Sequence, residues 1–264
     1  MGNHHWQWQT VAGNSYLTCD LLSSWQHGFF TQDFYPHLPE NLISILGWET
    51  TTYRVKQVHG NRVLTTQEIA QKLADKDLEN SLSDGDGIIG NKSNQSVWVA
   101  SADCTPVVIG DVQTGRVGAV HAGWRGTAQK IVPRAIARLI EMGSQPSNLR
   151  VAIGPAITGE MYQVDEIVAV EVGKTIVDEI SHKTDGEILI ELQSLPHPPV
   201  TPDKLPGKVR LNVPKINQIQ LEQLNIPSEY IAIAPFCTYQ QSDCFFSYRR
   251  TGEKKVQWSG IVAN

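Results

Sequence analysis

The chain has 264 residues, 41% hydrophobic and 19% charged, with a formal net charge of −5. That mixture excludes a disordered or fibrous protein, and a chain of this size buries roughly 70–75% of its unfolded surface without needing disulfide staples. The acidic balance argues against a bulk electrostatic grip on nucleic acid. No apolar run approaches the roughly 18 residues that span a bilayer, so neither nucleic acid nor a membrane is an expected partner.

The N-terminal MGNHHWQWQT lacks the basic-then-apolar pattern of a secretory signal. Four irregularly spaced cysteines (Cys19, Cys104, Cys237, Cys244) do not make a disulfide framework, so a cytoplasmic, reduced-thiol protein is expected. WQWQT, YLTCDLL and HGFFT read as short strands. YRVKQVH and RVLTT flank Gly60-Asn61, a break suited to a hairpin. A polar helical segment follows over Gln67–Asp77, then the turn-rich SLSDGDGIIGN. VWVASADC, PVVIGD and VGAVHAG are apolar strand runs with a turn at Gln113–Gly115.

Thr127–Met142 reads as one amphipathic helix, with Thr127 as N-cap and Gly143 as its terminator. The strand LRVAIGPAI and a helix over about Val164–Ile180 come next. Residues 182–208 carry Pro196, Pro198, Pro199, Pro202 and Pro206, and so read as an irregular insertion around a short strand at EILIEL. A helix over about Val213–Leu224 precedes the strands EYIAIAPFC, CFFSYRR and VQWSGIV. The expectation is one α+β domain over residues 1–264, a monomer by default.

The scarce residues locate the chemistry. Cys104, His121 and His59 each close a strand-like run, in ASADC, GAVH and KQVH. Three such donors at strand ends match a zinc site with one open position, and the alternative is three ordinary buried residues. His121 is followed by Gly123-Trp124-Arg125-Gly126, where a glycine-bounded turn into a helix and an arginine could hold phosphate or carboxylate. The alternative there is a tight turn with an exposed arginine. Arg249 and Arg250 could clamp phosphate or form surface ion pairs. On a strand only one of them would face a site. Asp84 and Asp86 could hold a hard cation or simply make their glycine turn, and Trp124 could offer an aromatic face beside the candidate ligand His121.

KQVHG, ADCTPVVI, AVHAGWRGT, IGPAI, CTY and FFSYRR, in this order, resemble the YfiH/laccase-domain family, long described as multicopper polyphenol oxidase and now as purine nucleoside phosphorylase. The resemblance runs from HGFFT to SYRR. It implies a single domain with a β-sandwich-like core of mixed sheets and surrounding helices. It also implies zinc on His59, Cys104 and His121. The implied activities are phosphorolysis of adenosine, inosine, guanosine and methylthioadenosine, with hydrolytic deamination of adenosine. Purine nucleoside and phosphate are then the partners, and Asp86 and Asp103 are the carboxyls weighed as proton donors. One departure is Gln32, where members often carry arginine.

Three rival readings remain. Copper oxidase chemistry is disfavoured, because the chain's eight histidines include no His-x-His pair, and His4 and His5 sit together at the terminus. A metal-free hydrolase or deamidase would use Cys104 as nucleophile and His121 as base. A non-catalytic protein with structural zinc would need a fourth ligand, for which Cys237 is the candidate.

Overall fold

The computed structural model describes residues 5–73 and 82–264; His4 and the last residues of the expected Gln67–Asp77 helix lie outside them. The first elements are β1 (Trp6–Val11), β2 (Asn14–Cys19), β3 (His27–Phe30), α1 (Pro39–Ile45), β4 (Thr51–Tyr53), β5 (Val63–Thr65) and α2 (Thr66–Leu73). The centre holds β6 (Gly87–Gly90), β7 (Gln95–Ser101), β8 (Thr105–Asp111), β9 (Val117–Ala122), α3 (Trp124–Ala128), α4 (Ile131–Glu141) and β10 (Leu149–Ile153). Next come β11 (Gln163–Asp165), α5 (Glu166–Gly173), α6 (Asp185–Ser194), β12 (Val200–Pro202), β13 (Lys208–Leu211) and α7 (Val213–Glu222). The chain closes with β14 (Ile231–Ile233), α8 (Tyr248–Thr251) and β15 (Gln257–Ala263).

Two six-stranded mixed sheets form the centre, ordered β1-β2-β3-β15-β7-β4 and β14-β10-β8-β9-β6-β5. Alternation along their strands explains the layering. Leu17, Phe29, Val97, Val99 and Ile261 from the first sheet meet Ile88, Val108, Val117 and Ala119 from the second in one buried cluster. The opposite face of the second sheet, including Val107, Ile109 and Val120, packs on Ile131, Val132, Ala135, Ile136 and Leu139 of α4. Phe30, Trp98 and Val262 turn the other way, onto Leu42 and Ile43 of α1. The architecture is therefore the expected α+β sandwich with helices outside it.

Several local expectations are corrected. The hairpin at Gly60-Asn61 does not form: β4 pairs parallel with β7, and β5 pairs parallel with β6 in the other sheet. The backbone of residues 58–60 donates instead to the Asp86 carboxylate, so it cannot join a ladder. The single helix over Thr127–Met142 is two, broken at Lys130, whose φ of 58° is left-handed. Pro133 is the reason. In a continuous helix its ring would clash with the carbonyl of Gln129, whereas in the first turn of α4 it is tolerated.

The helix expected over Val164–Ile180 is only α5, preceded by β11. The irregular stretch at 182–208 holds an ordered helix, because Thr184 and Glu187 form a reciprocal capping box that starts α6 through EILIEL. That helix packs with α5 over a small sheet ordered β11-β13-β12, with its own core of Val170, Ile188, Leu192, Val209 and Leu211. Finally, SYRR is not a strand: Ser247 caps Arg250 N–H and starts the short α8.

Candidate metal centre

β8 and β9 pair antiparallel, with Thr105 opposite Ala122 and Pro106 opposite His121. Cys104 stands one residue before β8, in the turn from β7, so it meets the end of β9. His121 continues the row of Val117 and Ala119 on one side of β9. His59 does not end a strand; it lies on the irregular segment after β4 with φ of 58°. The three side chains converge, and their ligand atoms all lie within 4.8 Å of one another. The two imidazole rings are 4.9 Å apart and nearly perpendicular. His121 is buried, Cys104 half-buried and His59 exposed, so the trio opens toward solvent on the His59 side.

Gly123 explains how close the groups come. A side chain there would place its Cβ 2.9 Å from the Cys104 sulfur and 3.4 Å from the His59 ring. Gly126 serves packing: a Cβ there would lie 2.9 Å from the Gly60 carbonyl, where α3 meets the His59 segment. Asp86, fully buried, accepts from His121 Nδ1 at 2.9 Å and from the N–H groups of Val58, His59 and Gly60 at 3.2, 3.0 and 2.8 Å. Asp84 is different: it is exposed and pairs with Lys56 at 3.6 Å.

Burial alone would push the Cys104 thiol up, but hydrogen bonds and charge from His121 and His59 outweigh it and hold the thiol at about 6. Burial also works against a charged His121, yet Asp86 and Cys104 raise it to about 9. Asp86 is driven up by burial and down by His121 and its backbone donors, and the donors win. A thiolate beside an imidazolium is thus the stable pair when no metal is present. The donor set fits zinc. Tetrahedral bonds of about 2.0–2.3 Å place donors roughly 3.3–3.8 Å apart, which a modest contraction of this trio reaches. No fourth donor joins among the described residues; Cys237 is buried outside this group, accepting from Thr158 N–H at 3.4 Å.

A small cavity of about 40 Å³ opens at Cys104, walled by Gly123, Trp124, Ile157, Tyr162 and Val213. A cleft of about 540 Å³ lies beside it, lined by Thr158, Asn212, Cys237 and Gln241 among others. Ile157 and Val213 are the chain neighbours of Thr158 and Asn212, so the two openings share a wall. Arg125 lies over the Trp124 ring at 4.3 Å, and Arg249 over the Tyr162 ring at 4.8 Å. Burial, reinforced by the Cys104 charge, pushes the Tyr162 hydroxyl up to about 12.

Arg250 is turned inward. It donates to the carbonyls of Thr238, Tyr239 and Phe245 at 2.6–2.8 Å. Asp103 lines the small cavity with both oxygens engaged, by the Thr238 hydroxyl and the Arg249 N–H, each at 2.7 Å. Gln32 ties to the Ser242 carbonyl and is not among the residues lining either opening. Tyr162 carries no mark in the sequence, and Asp86 stands out there only as a hard-cation ligand, a turn residue or a proton donor, not as the partner of His121 and the His59 segment. A lone tyrosine carries no local signal, whereas Asp86 lay in a glycine turn whose partner is distant in sequence.

A family model described as "Multi-copper polyphenol oxidoreductase laccase" matches residues 23–263. Purine nucleoside phosphorylase slr1573 of Synechocystis sp. is 51% identical, over 100% of this chain and 99% of the relative. A purine nucleoside phosphorylase of Deinococcus radiodurans is 29% identical, over 83% of this chain and 74% of its own. Among solved structures, YlmD from Geobacillus stearothermophilus superposes with a TM-score of 0.79 at 24% identity, covering 97% of this chain and 98% of that one. The fold is common to both.

Proposed function

The chain belongs to the laccase-like family whose model spans residues 23–263, and from that membership we propose that it is a zinc-dependent purine nucleoside phosphorylase that also deaminates adenosine. Adenosine, inosine, guanosine and methylthioadenosine are the nucleosides proposed. The full-length relative that is 51% identical and bears the phosphorylase name supports the reaction class. The observation that carries the site is the convergence of His59, Cys104 and His121 beside an aromatic and cationic rim.

His59, Cys104 and His121 would hold the ion, which when bound supplies Lewis-acid polarisation at the open position. Arg125 and Arg249 are the rim cations for phosphate, and guanidinium suits its oxygens. The small cavity is too tight for a nucleoside, so the adjoining cleft supplies the room, with Asn212 and Gln241 able to pair with a purine edge. In phosphorolysis a phosphate oxygen bonds to C1′ as the C1′–N9 bond breaks, and the departing base keeps the electron pair and takes a proton. Asp86 and Asp103 are both engaged as acceptors, and among the lining groups that carry a proton, the Thr105 and Tyr162 hydroxyls and the Trp124 N–H, we assign the donor role to Tyr162, whose phenol is the most acidic of them.

A second reading, a metal-free hydrolase with Cys104 as nucleophile, is favoured by one observation, the approach of the Cys104 sulfur to within 4.8 Å of a His121 ring nitrogen, which lowers the thiol. Chromatography of products from adenosine with and without phosphate tests the first. Adenine released only with phosphate supports phosphorolysis, and inosine formed in either condition supports deamination. No turnover of any of the four nucleosides by zinc-loaded protein would refute the proposal.

A further inference from the structure

Two of the three candidate ligands lie on segments distant in sequence, and neither is held by the other. His121 stands on β9, inside a ladder. His59 sits on exposed, irregular backbone with a left-handed φ. One buried group touches both segments. The Asp86 Oδ1 atom accepts from His121 Nδ1 at 2.9 Å and from the His59 N–H at 3.0 Å, while Oδ2 takes the N–H groups of Val58 and Gly60 at 3.2 and 2.8 Å. The backbone of the same residue is tied in too: its carbonyl accepts from His121 N–H at 2.7 Å, and its N–H donates to the Arg62 carbonyl at 2.9 Å.

We infer that Asp86 is the positioning residue of the metal centre, presetting two ligands with one carboxylate. For His121, an acceptor at Nδ1 keeps a proton there, so Nε2 is the nitrogen that gives up its proton and binds metal. For His59, three consecutive N–H groups converging on one carboxylate hold a segment that no ladder supports. The ring is thereby kept within 4.8 Å of its partners before any ion arrives. Asparagine is the informative substitution. It keeps the shape, but its amide nitrogen presents donors to groups that are themselves donors, so it cannot satisfy four of them at once.

This inference rests on the proposal that His59, Cys104 and His121 hold zinc. The test is competition between a chelator and the full chain for zinc, comparing wild type, Asp86→Asn and Asp84→Asn, with far-UV circular dichroism to confirm folding. Asp86→Asn should weaken zinc binding 10- to 100-fold, a typical loss for a group that orients metal ligands. Asp84→Asn, which alters only an exposed pair with Lys56, should bind as wild type does. A merely structural role would lower thermal stability and leave the affinity of the folded variant unchanged, which would overturn the inference alone.

Wild type that binds no zinc would overturn the metal reading and this inference with it. If Asp86→Asn does not fold, histidine ¹⁵N spectra of the zinc-loaded wild type decide. A proton on His121 Nδ1 with metal at Nε2 supports the role, and metal at Nδ1 overturns it.

Discussion

Gly123→Ala perturbs the centre without removing any donor. The glycine has φ of −69° and ψ of 168°, a conformation open to any L-residue, so alanine brings no backbone strain. Its Cβ, however, would lie 2.9 Å from the Cys104 sulfur and 3.4 Å from the His59 ring. Ordinary contact for such atoms is about 3.7 Å, so the sulfur must retreat by roughly 0.8 Å. A zinc site tolerates only about 0.2 Å in its bond lengths, so this displacement exceeds the tolerance several-fold. We expect zinc affinity to fall at least tenfold, equivalent to about 1.4 kcal/mol, and phosphate-dependent base release at limiting zinc to fall with it. Chelator competition and a chromatographic base-release assay on the same preparation read both. Wild-type zinc affinity and turnover in the variant would mean that the trio is not held at the geometry described.

Other predictions follow from the same contacts. Iodoacetamide should alkylate Cys104 of metal-free protein with a rate that rises with pH through a midpoint near 6, since the thiolate reacts and its pKa is depressed to about 6. Zinc should block the reaction, and a midpoint near the ordinary thiol value of about 8.5 would contradict the electrostatics. Arg250→Ala should cost about 2–3 kcal/mol, seen as a lower thermal midpoint, because three carbonyls lose their donor. Arg249→Ala should leave the midpoint nearly unchanged and raise KM for phosphate several-fold. Equal effects on stability from both would argue against separate roles for the pair.

The layers and the grouping of Cys104, His121 and His59 were legible in the sequence because both leave periodic or compositional marks. The apolar runs of β7, β8 and β9 alternate onto two faces, and a cysteine and a histidine at the edges of such runs, with His59 as a second scarce donor, stand out; that His59 lies on irregular backbone was not visible. The failures have physical causes. Pro133 marked the break before α4, but the apolar stripe on either side of it looked continuous. Thr184 and Glu187 carried a capping box inside a stretch whose prolines pointed to an irregular insertion around a short strand instead. Ser247 offered a cap that outweighed the apolar run before it. The hairpin expectation failed because residues 58–60 have a partner in Asp86, about 27 residues onward, and a local pattern cannot register such a bond. The same long-range bond is what makes Asp86 matter to the centre.

Whether zinc on His59, Cys104 and His121 drives phosphorolysis is decided by titrating metal-free protein with zinc while phosphate-dependent release of purine base is followed. Activity should rise linearly to a break at one zinc per chain, with no such rise in His59→Ala, Cys104→Ala or His121→Ala. Full base release by the metal-free wild type, or a zinc-activated Cys104→Ala variant, would contradict that role of the metal.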